Sequence, residues 1–154
     1  MTDPRRVDPG VVDPGVVDPV VRAGAVATRG NDLLVVRRDQ GPTEGRWSVP
    51  VARIAGGETM VEAVVRAVAT QCGLDALSGP FLGWFESIRS DDDRLVDHDV
   101  VACFQAGVLE DAAPVAGHDV AEASWMPVWD VAELPLVDGL AELLAEHGVI
   151  DTLA

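Results

Sequence analysis

The chain has 154 residues and a mass of 16.2 kDa, with 48% hydrophobic residues against 24% charged and a mean hydropathy of +0.19; that balance predicts one folded domain with a substantial core and excludes a disordered chain. Its 26 acidic and 11 basic residues give a net charge of −15, a field that repels phosphate backbones and anionic surfaces, so no nucleic acid and no membrane is expected as a partner. No window approaches the roughly 20 apolar residues of a membrane span and the N-terminus lacks a signal peptide's apolar core, so a cytoplasmic location is expected.

The chain opens on a repeat of period five: VDPGV from Val7, VDPGV from Val12 and VDPVV from Val17. Asp-Pro-Gly is turn chemistry, and the flanking valines favour extended backbone. Residues 1–19 therefore form an arm outside the domain at 20–154. The arm is either a plain tail or an apolar segment that docks on its own domain or, in a homodimer, on a partner subunit.

VVRAGAVAT (20–28) and LLVVRR (33–38) read as two strands joined by Arg29-Gly-Asn-Asp, an antiparallel hairpin. The loop DQGPTEGRWSVP leads to Gly56-Gly57 and a helix that ends at Gly73, a residue suited to a left-handed cap. FLGWFESI (81–88) and DVVACFQAGVL (99–109) are expected strands on either side of a polar loop, RSDDDRLVDH. A short strand, ASWMPV (123–128), precedes a helix in LVDGLAELLAEHG (136–148), where Leu140, Leu143 and Leu144 share a face. Strands, helix, strands, helix predict a mixed α/β domain.

At 100° per residue, Val61, Val64, Val65, Val68 and Cys72 fall on one apolar stripe of the first helix, the side expected against the sheet. Thr59, Glu62, Arg66 and Ala69 mark a more exposed side, and Ala63, Ala67, Thr70 and Gln71 a third face with no ionisable group. The two cysteines, Cys72 and Cys103, form no CxxC and read as buried thiols; the three histidines, His98, His118 and His147, show no metal-ligand spacing.

The segment RWSVPVARIAGGETMVEAVVRAVATQCGL resembles the Nudix box, G-x5-E-x7-R-E-U-x-E-E-x-G-U, where U is apolar. Trp47 and Pro50 match its lead-in, Glu58 its first glutamate, Arg66 its arginine, Val68 an apolar position and Gly73-Leu74 its close. The paired strands ending in Arg37-Arg38, the stretch His98 to Phe104 and Ala123-Ser-Trp-Met-Pro-Val through Leu134-Pro are similar to the family as well, so the likeness runs over roughly 20–147. It implies the Nudix fold, a mixed β-sheet sandwiched between helices (α/β/α), and hydrolysis of a diphosphate assisted by Mg²⁺ or Mn²⁺ held on helix glutamates. It further implies a small-molecule ligand, a nucleotide or other diphosphate, in contact with Arg38 and Phe104, with Trp47 and Trp84 placed to stack a flat base.

The departures fall on the chemistry. The three glutamate positions hold Ala67, Thr70 and Gln71, the glycine pair is Val51-Ala52, and an acidic loop position is Ala55. A hard divalent ion requires oxygen ligands, preferably anionic, and this helix face supplies none. No cofactor is therefore expected, with Mg²⁺ or Mn²⁺ entering only if residual hydrolysis exists. Glu58, Arg66 and Glu86 remain as catalytic candidates. Glu58 and Arg66 can equally form an ion pair tying loop to helix. The run Asp91-Asp92-Asp93 with Asp97 and Asp99 is either a solvated loop or a surface cation site, and His98 either a general base or an exposed residue where loop passes into strand. Glu86 faces either cleft or water, according to its strand phase. Two expectations follow: a ligand-binding, regulatory or assembly module that has lost pyrophosphohydrolase activity, or an enzyme working with non-standard residues, either a hydrolase using Glu58, Glu86 and the loop aspartates or a non-hydrolytic catalyst using Cys103, His98 or Glu86.

Overall fold

Two runs rich in branched residues on either side of Gly30-Asn31 make the first hairpin of the computed structural model, which describes residues 17–151. The first two copies of the valine repeat fall outside that range. Strands β1 (Val20–Arg29) and β2 (Asp32–Arg38) pair antiparallel, Thr28 with Leu33 and Arg29 with Asp32. Gly30 turns the chain at φ 58°, a left-handed conformation in which any other side chain would be strained.

Beyond that turn the two strands part company. β2 takes β3 (Trp47–Ser48) and β7 (Val120–Pro127) as antiparallel neighbours, while the first half of β1 lies between β4 (Val51–Arg53), antiparallel, and β6 (Arg94–Val108), parallel. β5 (Ala76–Asp91) follows β6 at the margin, giving a seven-stranded sheet of order β3-β2-β1-β6-β5 with β4 on β1 and β7 on β2.

The polar stretch at 89–98, expected as a loop, is strand almost throughout. β5 and β6 form one long hairpin that turns at Asp92-Asp93, with φ 48° and 65°. Both central residues left-handed is the backbone of a type I′ turn, whose twist matches the strands it joins and which Asp tolerates better than most residues. Opposite charges face each other across the ladder, Arg89 with Asp97 and Asp91 with Arg94, so polarity here serves strand pairing.

Helix α1 (Met60–Cys72) starts on a capping box. Thr59 Oγ1 accepts from Glu62 N–H at 3.1 Å, Glu62 Oε1 accepts from Thr59 N–H at 3.2 Å, and Gly73 closes the helix at φ 66°. The packed side is rotated from the expected stripe. Ala63, Val64, Ala67, Val68, Gln71 and Cys72 are buried, whereas Val61 is 47% exposed and Val65 only half-buried. The large side chains suggested a stripe on one side; in the structure α1 packs on β1, β4 and β5, Gln71 is held to the Val51 peptide of β4, and the small Ala63 and Ala67 lie on the buried side.

Each sheet face carries its own core. On the α1 side, Ala23, Ala25, Leu34, Val64, Val68, Cys72, Ala102 and Phe104 pack together. The other side gathers Val26, Leu33, Val35, Trp47, Phe85, Val101 and Cys103 under α2 (Val128–Val131) and α3 (Leu140–Glu146). α2 had no counterpart among the expected elements, and α3 is shorter than its periodic stretch, though Leu140, Leu143 and Leu144 are buried as expected. The layering is α/β/α. Cys72 and Cys103 are free, buried and on opposite faces, and burial pushes both thiols up to about 12. Among the described residues, no helix is long and apolar enough to cross a membrane.

Candidate functional site

Three side chains decide what the α1 face can hold. Gln71 is 7% exposed, and its amide meets the peptide of Val51 at two points: Nε2 donates to Val51 O at 2.7 Å and Oε1 accepts from Val51 N–H at 3.2 Å. Both halves of a buried amide are thereby satisfied within the protein. Thr70 Oγ1 donates to Arg66 O one turn back on its own helix, at 2.9 Å. Ala67 has no solvent exposure. The three positions thus offer a spent amide, a spent hydroxyl and a buried methyl. Such a donor set does not fit Mg²⁺ or Mn²⁺. Among the described residues, no three His, Cys, Asp or Glu side chains come together in an arrangement that could hold a metal.

Glu58 and Arg66 do meet. Arg66 Nε donates to Glu58 Oε2 at 2.8 Å and Nη2 to Oε1 at 2.9 Å, a bidentate pair, while Nη2 also reaches Arg53 O at 2.7 Å. The Arg66 guanidinium, aided by the Ala55 N–H that Glu58 Oε1 accepts at 3.0 Å, holds the Glu58 carboxyl well below the usual range, at about 2, and Glu58 in turn raises Arg66. The pair ties the 53–58 loop to the helix.

A cavity of about 390 Å³ lies on the other face of the sheet. Phe85, Val51, Val101 and Val137 supply apolar wall; Ser48, Ser87, Thr43 and Gln40 supply neutral polar groups; Arg22, Arg38, Asp97, Asp99 and Asp119 supply charge. Strand alternation explains the selection, since Arg22 pairs with Val101 and Asp99 lies two residues before Val101 on the same side. Arg22 Nε donates to Asp99 Oδ1 at 2.9 Å and partly neutralises it. Asp119 Oδ1 accepts from Gln40 Nε2, fixing the loop that closes one side. Among the described residues, Arg38 enters no ion pair.

Of the residues singled out for ligand contact, Arg38 alone lines this cavity. Trp47 is 8% exposed and packed in the core with Leu136 and Val49; it sits on β3, turned inward by its pairing with Arg37. Phe104 is core beneath α1, edge-on to Phe81 at 5.5 Å between ring centroids. Trp84 faces α1's side of the sheet and is 59% exposed. Glu86 falls out of the cavity by strand phase: Phe85 and Ser87 line it, so Glu86 projects to the opposite face, where its Oε2 lies 2.9 Å from His98 Nε2. Arg22, Asp119 and the serines were not foreseen. A period-two signal for Asp97 and Asp99 was present in D-H-D-V-V-A-C, but reading 89–98 as loop concealed it.

A NUDIX domain model matches residues 18–147. The chain belongs to the Nudix family. Among Nudix relatives, it is 26% identical over 105 residues to the uncharacterized Nudix hydrolase YvcI of Bacillus subtilis, an alignment covering 68% of this chain and 66% of YvcI, just under two thirds of that relative. The MutT NUDIX hydrolase from Burkholderia pseudomallei superposes with TM-score 0.72 at 21% identity, over 85% of this chain and 98% of the other. The MutT protein from Methanosarcina mazei Go1 gives 0.69 at 16%, over 84% and 93%. The NUDIX domain of Shewanella oneidensis NrtR, complexed with ADP ribose, gives 0.64 at 22%, over 88% and 92%. These likenesses establish the Nudix fold for this chain, and nothing finer.

Proposed function

We propose that this Nudix domain binds a small molecule, a nucleotide or other diphosphate-bearing compound, in the cavity between β5, β6 and the 40–43 loop, and serves as a ligand-binding or regulatory module without Mg²⁺-dependent pyrophosphohydrolase activity. The observation that carries this reading is the Gln71 amide closed on the Val51 peptide beside a buried Ala67. A metal-holding face has no place there. Arg38, lining the cavity outside any ion pair among the described residues, supplies the anion contact, and Phe85 with Val101 an apolar surface for a ring. ADP ribose bound to the NrtR NUDIX domain supports a nucleotide-type ligand. A cytoplasmic location accords with such a ligand.

A second reading, a hydrolase using non-standard residues, draws on Asp97, Asp99 and Asp119, which bring carboxylate oxygens to the same cavity. Calorimetry with ADP-ribose, ADP and a UDP-sugar, with and without Mg²⁺, run beside a chromatographic assay for product, separates the two. Binding indifferent to Mg²⁺ with no turnover is the expected result. Mg²⁺-dependent turnover abolished by Asp97→Asn would favour the second reading, and absence of all binding would remove the ligand class altogether.

A further inference from the structure

The β5–β6 hairpin outreaches the helix that covers it. On the α1 side of the sheet, strand register places Ala23, Ala102 and Trp84 in one row, Val21, Val100 and Glu86 in the next, and His98 with Ile88 beyond. The helix packs over Ala23, Ala25, Ala102 and Phe104. Past that point the same face continues with no element over it among the described residues: Trp84 is 59% exposed, Ile88 55% and Val21 45%. So many large apolar side chains on one strip of sheet mark a surface that something covers.

The sequence holds a segment that fits. The third copy of the valine repeat, Val17 to Val21, ends inside β1, and its last residue, Val21, is itself part of the open face. The chain thus enters the sheet beside β6, at Val20 opposite Asp99, and the sixteen residues before Val17 are tethered where the face begins. A segment of that length spans up to roughly 50 Å when extended, several times the width of the face. It carries Val7, Val11, Val12 and Val16, with the adjacent cations Arg5 and Arg6 ahead of them. The hairpin tip toward which it would run, residues 89–99, has five aspartates against two arginines. Charge and apolar surface therefore match in the same order along both partners.

Addition of the arm as an extra strand on the margin of β5 is disfavoured by its prolines. Pro4, Pro9 and Pro14 recur at an odd spacing, so neighbouring prolines would point to opposite sides of a strand and every second one would withhold a donor from the ladder. Side-chain docking on the face makes no such demand. We propose that the valines of residues 1–16 pack, within the same chain, on the open face formed by Val21, Trp84, Ile88 and Val100, with Arg5 and Arg6 directed to the acidic hairpin tip.

Thiol labelling of the full-length chain tests this. Cys72 and Cys103 are buried with thiols at about 12, so a cysteine introduced as Ile88→Cys is the reactive one. Its labelling rate is compared with that of the same variant carrying Ser at Val7, Val11, Val12 and Val16. A tethered arm acts at an effective concentration near millimolar, and about tenfold slower labelling of the valine-bearing chain is expected, unchanged on dilution and with the mass of one chain by light scattering. Leu109→Cys, 63% exposed at the opposite end of β6, should label equally in both backgrounds. Equal rates at Ile88→Cys would overturn the proposal, and so would a rate difference at Leu109→Cys. Protection that strengthens with protein concentration alongside a doubled mass would assign the face to a second copy and overturn docking within one chain.

Discussion

Gln71 illustrates how much one polar side chain can commit. At the position where a Nudix helix carries a carboxylate, its neutral amide donates and accepts at once, and Val51 offers the complementary pair. A carboxylate could accept from Val51 N–H but would turn its other oxygen on Val51 O with no proton between. Gln71→Glu is therefore expected to destabilise the fold by about 1–3 kcal/mol at neutral pH, the cost of a buried group left unsatisfied. Desolvation favours the protonated form, so the folded pKa of Glu at position 71 lies above its unfolded value. The penalty is then absent below pH of about 4, where both states are protonated, and grows as pH rises through the folded pKa. Urea unfolding of the two proteins at several pH values measures this. Rescue of Gln71→Glu by millimolar Mg²⁺ would show instead that the metal site lies one substitution away.

Among the elements, legibility followed the range of the interactions involved. α1 was readable because its boundaries are local: the Thr59–Glu62 box and the Gly73 cap act over a few residues. Its packed face was misjudged because one contact that holds it, Gln71 against Val51 of β4, joins residues 20 positions apart that no helical periodicity describes. The β5–β6 hairpin was cut short for the converse reason, its facing charged residues having the composition of a loop. Arg38, singled out beside the aromatics, lines the cavity, whereas Trp47 and Phe104 lie in the cores, aromatic side chains serving cores as readily as ligands. The Glu58–Arg66 link belongs to this scale too, since it fastens the 53–58 loop to α1. Its carboxyl is depressed to about 2 by Arg66 and the Ala55 N–H. A depressed carboxylate contributes stability that is fully present above its unfolded pKa near 4.3 and lost as pH falls toward 2. The advantage of the native chain over Glu58→Gln should hold from pH 7 to 5 and shrink steadily below that, with the Glu58 carboxyl titrating near 2 by NMR; an advantage independent of pH would mean that the carboxylate's charge contributes nothing.

At the scale of the whole molecule, two electrostatic influences oppose each other. The chain carries −15 overall, so an anionic nucleotide approaches against a repulsive field. On the proposed reading Arg38 would attract it at short range within the cavity, and Asp97, Asp99 and Asp119 would limit where a phosphate sits. Salt separates the two, because screening reaches about 30 Å at 0.01 M but about 10 Å at 0.1 M, shorter than the distances over which the net charge acts and longer than a direct guanidinium contact. The association rate of ADP-ribose should therefore rise several-fold between those salt concentrations while the dissociation rate changes little, the reverse of the behaviour of a binding protein with a basic surface. Stopped-flow measurement at both ionic strengths gives the two rates. A fall in the association rate with salt would place an attractive local field at the cavity mouth, with Arg22 and Arg38 outweighing the three aspartates there.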